Sequence, residues 1–247
     1  MVFAPDDSAP DRFPATRHSV LQRIRDGGEA ERSAAFDVLV TAYWRPVYTY
    51  LRLRWHAEPA DAEDLTQDFL AAAWAKGFLE RFDPARARFR TFLRTCLDRH
   101  VQTRRKAERA LKRGGGAVQF SLDFVAAEGD LSQRVPAEPD TAEELFQREF
   151  VRTLFAEALG ELRSELYGRD RGVVYEVFDR YDLGPETGAT YASVGQALGL
   201  SATQVTNHLH AARRRFRELV LARLRELSGS EAEFRDEARE ILGIELG

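Results

Sequence analysis

The chain has 247 residues, of which 44% are hydrophobic and 31% are charged, and its formal net charge is -4. Ala, Leu, Arg and Glu dominate the composition, which favours helix over strand, so the predicted fold class is all-α. No run of about 18 apolar residues and no signal-peptide pattern is present, so we expect a soluble, cytoplasmic protein without membrane insertion. The single cysteine, Cys96, cannot form an internal disulfide.

The small net charge hides a strong segregation of charge along the chain. Residues 81–113 contain twelve Lys or Arg and three acids, whereas residues 123–150 contain eight acids and two arginines. Local charge rather than total charge sets affinity for phosphates. Two basic blocks on either side of an acidic connector therefore predict two nucleic-acid-facing modules and a linker.

The chain order divides into five predicted segments. A proline-containing tail, 1–16, is expected to be disordered. A first helical module covers 17–113, a flexible acidic linker with a Gly114–Gly116 hinge covers 114–140, and a second helical module covers 141–227. The last segment, 228–247, is predicted to be a helical extension. In the first module we expect a kink at Pro46, next to an aromatic run that we interpret as core.

A helix that begins near Asp61 carries polar side chains on a face separate from its apolar stripe: Asp64, Gln67 and Asp68. Helix capping and solvation explain the acids of the first turn better than they explain this face. Two functional interpretations are a metal site and a contact with a basic partner protein. Metal binding is disfavoured, because no histidine or further acid follows at ligand spacing.

The stretch from Phe82 to Arg105 interleaves aromatic and basic residues. Such a surface suits single-stranded nucleic acid, where bases stack on aromatic rings and phosphates pair with cations. A solvated helix face is the simpler alternative, and the local excess of positive charge makes it the poorer one. The candidate residues are Phe82, Arg86, Arg88, Phe89, Arg90, Arg94, Arg99, Arg104 and Arg105.

The residues from Tyr191 to Leu219 have the layout of a helix-turn-helix. A short helix ends at Gly199, Ser201 caps the next helix, and Gln204 stands where a capping box requires it. Val205 and Leu209 lie on the apolar face of the second helix, and polar, small or basic residues lie on the other faces. The predicted duplex DNA contacts are Thr203, Gln204, Thr206, Asn207, His210, Ala211, Arg213 and Arg214.

These motifs together resemble bacterial RNA polymerase sigma factors. The sequence Ala62–Leu70, Trp74 and the sequence Phe89–Leu93 are similar to their second conserved region, and the helix-turn-helix that contains Val205–Arg213 is similar to their fourth. Two such regions without a conserved region between them resemble the extracytoplasmic-function (ECF) class.

The resemblance implies a role for each surface. It assigns Asp64, Gln67 and Asp68 to the β′ clamp helices of core RNA polymerase, and Phe82–Arg88 to capture of a flipped base of the downstream promoter element. The helix of residues 89–105 would hold the melted strand, and the helix-turn-helix would read the upstream promoter element. The implied partners are core polymerase, promoter DNA and, as is common in the class, an anti-sigma factor.

The resulting expectation is a non-enzymatic sigma factor that needs no cofactor or metal and is a monomer when free. Two alternatives stay open: a free-standing helix-turn-helix transcription regulator, and a helical adaptor that binds only protein. An enzyme such as a metal nuclease would instead show divalent-metal activity that Asp64→Ala abolishes. For the extension we consider packing back on the second module, docking on a regulator, or simple stabilisation as an amphipathic helix.

Overall fold

A computed structural model describes residues 19–108, 120–132, 141–184 and 189–244. Within these ranges the regular elements are all helical, which confirms the predicted all-α class. The predicted disordered tail, the glycine hinge and the last residues of the extension lie outside the described residues.

Four helices and one short turn form the first half of the chain. They are α1 (Val20–Asp26), α2 (Glu29–Arg54), α3 (Pro59–Lys76), a 3-10 turn (Phe78–Arg81) and α4 (Phe89–Glu108). Helix α3 begins two residues before the predicted Asp61, because proline tolerates the first helical turn, where no N–H partner is needed. It ends at Gly77, whose φ of 57° is the left-handed conformation that glycine adopts at low cost.

Six helices and one π-helical turn follow. They are α5 (Phe124–Ser132), α6 (Ala142–Gly168), α7 (Gly172–Phe178), the π-helical turn (Asp179–Leu183), α8 (Tyr191–Leu198), α9 (Ala202–Leu227) and α10 (Glu231–Leu242). Helix α9 begins after the predicted cap Ser201, and α6 and α10 begin after Thr141 and Ser230; each of these side chains accepts a backbone hydrogen bond from the first turn.

The described part of the predicted linker contains a helix, α5, that packs against α2. Helix α5 holds Glu128, whose carboxylate accepts hydrogen bonds from the Tyr48 hydroxyl at 2.7 Å and from two nitrogens of Arg52 at 2.7 and 2.9 Å. Arg45 donates a further bond to Asp130 at 2.8 Å. The negative charge of this segment therefore pairs with basic side chains of α2, which local composition did not reveal.

The two predicted modules share one hydrophobic core. Helix α2 packs along α6, where the rings of Tyr43 and Phe150 stack at 5.2 Å and those of Tyr50 and Phe146 meet edge to face at 5.7 Å. The aromatic run near Pro46 is buried, as predicted, and α2 continues through that proline as one helix. Helix α9 packs on α6 through Phe216 and Phe155.

Candidate nucleic-acid interface

The helix-turn-helix is built by a close approach between its first helix and the turn. Gly195 of α8 accepts a hydrogen bond from the Leu200 N–H at 2.8 Å, and a Cβ on Gly195 would lie 2.6 Å from the Leu200 carbonyl oxygen. Gly199 makes the turn with φ of 67°, and Ser201 and Gln204 form the predicted capping box. Val177, Val194, Val205 and Leu209 are buried together in a small core of their own.

The predicted recognition face of α9 is open to solvent. Thr203, Asn207, His210 and Arg214 are exposed, and Ala211 is half-buried. Arg213 is held by Asp182 of the π-helical turn in a two-pronged ion pair of 2.6 and 2.8 Å. This face therefore presents polar side chains at the spacing that a DNA groove would require, and its second arginine, Arg214, lies 3.8 Å from Glu218.

The predicted polymerase-binding residues of α3 lie on one face, but two of them have partners within the chain. The Gln67 amide both donates to and accepts from the backbone of Phe120, each at 2.8 Å, and Asp68 forms an ion pair with Arg104. Asp64 is exposed. The start of the connector thus covers part of the face on which a partner protein was expected.

The predicted single-strand residues begin with an aromatic cluster. The ring of Phe82 lies 5.2 Å from that of Phe89 and 5.4 Å from that of Phe92. Phe89 is buried, and a Cβ added to Gly229 would meet the Phe82 ring at 2.3 Å. In this conformation Phe89 is part of the core and is closed to a base, while Phe82 is half-buried against the turn between α9 and α10.

Three glutamates of α10 contact the residues at the start of α4, from Arg88 to Arg90. Glu233 accepts the Phe89 N–H at 2.6 Å, and Glu237 forms an ion pair with Arg90 at 2.7 Å in which both side chains are buried. Glu240 forms an ion pair with Arg88 and lies 3.4 Å from Arg90. Arg90, predicted to face nucleic acid, is therefore enclosed by the C-terminal helix.

Of the other residues predicted to bind a single strand, some contact protein groups and some are exposed to solvent. Arg94 bonds to Glu143 of α6 at 2.8 Å and to Asp98 at 3.2 Å. Arg105 donates to the Trp55 carbonyl at 3.0 Å and lies over the Trp55 ring. Arg86 and Arg99 are exposed, and they mark the solvent side of this surface.

Burial controls the protonation of the α10 carboxyls. Desolvation raises the pKa of Glu237 to about 7, more than the Arg90 guanidinium lowers it. Burial also raises the pKa of Glu233, against two backbone hydrogen bonds that act in the other direction. For Glu240, burial alone would raise the pKa, but hydrogen bonds from Arg88 and Gln147 hold it below its usual value.

The glutamates of α10 are the residues that sequence reasoning missed. Glu233 and Glu237 stand next to Phe234 and Ala238, which are buried in the core, so these acids share a face with the apolar stripe. Acids beside an apolar stripe at helical spacing indicate a packed, charge-paired face. The partner of Glu237, Arg90, lies 147 residues away and could not be named from that pattern.

The described residues hold no group of three or more His, Cys, Asp or Glu side chains arranged to bind a metal ion. None of the described helices combines the length and the apolar character that crossing a bilayer requires.

One family model matches part of this chain. Residues 39–110 match the family model Sigma-70 region 2, which covers α3, α4 and most of α2 but less than half of the chain. This part of the chain is similar to a family of transcription initiation factors that are not enzymes, in agreement with the prediction for this chain. No curated protein and no solved structure matches the chain.

Proposed function

We propose that this chain is a sigma factor that binds core RNA polymerase and directs promoter recognition, DNA melting and transcription initiation. One observation carries the proposal: a Sigma-70 region 2 match at residues 39–110 is followed by a helix-turn-helix with an exposed polar face. A free-standing regulator would need the helix-turn-helix but not the region 2 match. A protein-binding adaptor would not need an open recognition face.

In the proposed mechanism each surface has its own task. The α3 face with Asp64 at its exposed end docks on the basic clamp helices of the polymerase β′ subunit. The α9 face inserts into the major groove at the upstream element, where Asn207 and His210 meet base edges. Residues 81–105 receive a flipped base and the melted strand, with stacking and phosphate pairing offsetting the few kcal/mol that base extrusion costs. Assignment to the ECF class and control by an anti-sigma factor belong to this proposal.

Reconstituted transcription tests the proposal. Purified protein and sigma-free core polymerase are given a library of genomic fragments, and the initiated transcripts are sequenced. Transcripts that share two upstream motifs are the expected result. Asp64→Arg should abolish them by reversing charge on an exposed docking residue, while Asp37→Arg, an equal change at an exposed position of α2, should leave them.

A second pair of variants tests whether α9 reads the upstream motif. Asn207→Ala should change the preferred upstream sequence, because each bidentate base contact contributes about 1–3 kcal/mol of discrimination. Gln196→Ala removes an exposed amide from the first helix of the motif and should not change it. If core polymerase neither binds the chain nor transcribes with it, the sigma factor proposal is wrong and the regulator or adaptor replaces it.

A further inference from the structure

We infer that α10, together with the turn that precedes it, occupies the single-strand surface of the first module and closes the free chain to melted DNA. The inference rests on the proposed function, because it assumes that residues 81–105 are a nucleic-acid surface. It adds an intramolecular occupant of that surface, and this occupant has the chemistry of the ligand it would exclude.

The occupant covers the positions that a strand would need. The turn at Gly229 lies against the Phe82 ring, where a flipped base is expected to stack. Glu237 and Glu240 contact Arg90 and Arg88, two cations expected to bind phosphates. While α10 stays in place, Arg90 is closed to a strand, and Phe82 and Arg88 are only partly accessible.

The third contact lies at the start of α4. Glu233 accepts hydrogen bonds from the N–H groups of Phe89, at 2.6 Å, and of Gly229, at 2.8 Å. Phe89 is the first residue of α4, and the exposed backbone donors and the dipole at a helix start favour anions. A carboxylate therefore occupies a position where a phosphate oxygen would meet the same donor.

A purely structural role would not require this arrangement. Phe234 and Ala238 already anchor α10 in the core. A buried carboxylate–guanidinium pair such as Glu237–Arg90 is often no more stabilising than an apolar pair of similar size, because both ions lose their hydration. The pair instead gives α10 an electrostatic contact that polyanionic nucleic acid can compete for.

The charge arrangement also predicts which surfaces stay available in the closed chain. The recognition face of α9 lies at the other end of that helix from α10 and is exposed. Closure by α10 thus blocks contact with a melted strand and leaves contact with duplex DNA possible. Release of α10 becomes a separate step between upstream recognition and strand capture.

The test compares two alanine variants of the full chain. Glu240→Ala removes the ion pairs to Arg88 and Arg90, while Asp236→Ala removes an exposed acid of the same helix and changes net charge equally. Affinity for a labelled single-stranded oligonucleotide of about 12 nucleotides is measured by fluorescence anisotropy. Glu240→Ala should bind about fivefold more tightly than Asp236→Ala, as expected for loss of a partly exposed ion-pair contact.

A second measurement follows the contact itself. Amide hydrogen exchange at the start of α4 should accelerate in Glu240→Ala and not in Asp236→Ala, because Phe89 donates its N–H to Glu233. A synthetic peptide of residues 229–244 should compete with the oligonucleotide for a chain that ends at Leu227, once circular dichroism shows that this chain is folded.

The outcomes separate the inference from the proposed function. Equal oligonucleotide affinity in both variants and in the shortened chain, with transcription intact, would overturn closure by α10 and leave the sigma factor proposal standing. Absence of oligonucleotide binding and of transcription in every form would overturn both. Faster exchange at α4 together with tighter oligonucleotide binding supports closure.

Discussion

Glu237 and Arg90 form a buried contact between two ionisable side chains. Both side chains are almost fully enclosed, at 5% and 3% exposure, so neither ion can be hydrated by bulk water. Burial raises the pKa of Glu237 to about 7 from an ordinary value of 4.5. The folded chain therefore holds a proton at Glu237 through a pH range in which the unfolded chain has already released it.

This pKa shift predicts a pH dependence of stability. Because the folded pKa is raised, the contribution is fully present below about pH 4.5 and is lost as the pH rises through about 7. Wild-type protein should lose about 2 kcal/mol more free energy of unfolding between pH 5.5 and pH 8 than Glu237→Gln, which cannot titrate there. Denaturant titrations at both pH values measure the difference.

The control for this prediction is Glu231→Gln, at an exposed position in the first turn of α10. It should keep the pH dependence of the wild type. Parallel loss of stability in wild type and Glu237→Gln would contradict the pKa shift.

At the scale of elements, the helix-turn-helix depends on a glycine that the sequence pattern did not single out for this role. Gly195 allows α8 to approach the Leu200 carbonyl of the turn that leads into α9. Gly160 in α6 is also helical, but an added Cβ there meets nothing within 4 Å. The same substitution should therefore have opposite effects at the two sites.

We expect Gly195→Ala to lower the free energy of unfolding by about 1–3 kcal/mol, because the added methyl group forces the turn apart. Gly160→Ala should raise it by up to about 1 kcal/mol, because alanine favours helix over glycine. Chemical denaturation measures both changes. If Gly195→Ala is as stable as Gly160→Ala, the close approach does not constrain the motif.

At the scale of the whole molecule, the shared core makes the two predicted modules one packed body. Phe146 and Phe150 of α6 lie against Tyr43 and Tyr50 of α2, so the second half of the chain completes the core of the first. All three tryptophans lie in α2, α3 or directly after α2, at positions 44, 55 and 74. Tryptophan fluorescence thus reports on the first half, whereas circular dichroism reports on all helices.

The two signals should give coincident unfolding transitions, as expected of a cooperative unit. Phe146→Ala, a change in the second half, should lower the free energy of unfolding measured by tryptophan fluorescence by about 3–5 kcal/mol, the usual cost of truncating a buried phenylalanine to alanine. A tryptophan transition unchanged by Phe146→Ala would mean that the modules unfold independently.

Sequence alone was sufficient for features that depend on neighbouring residues. The turn at Gly199 and the cap at Ser201 follow from residues within three positions of a helix end or start. The burial of Arg90 could not be predicted in this way. It depends on Glu237, 147 positions away, and a basic residue on an amphipathic helix is indistinguishable in sequence from a solvated one.

Helix α9 also fixes a distance within the molecule. It runs unbroken from Ala202 to Leu227, so its 26 residues form a rod about 39 Å long. The recognition residues stand at one end of this rod, while Leu224 and Leu227 are buried in the shared core at the other. If the proposed function is correct, this helix sets the distance between the upstream duplex and the shared core. Under the same proposal, a promoter whose two elements are spaced differently would require α9 to move relative to α2.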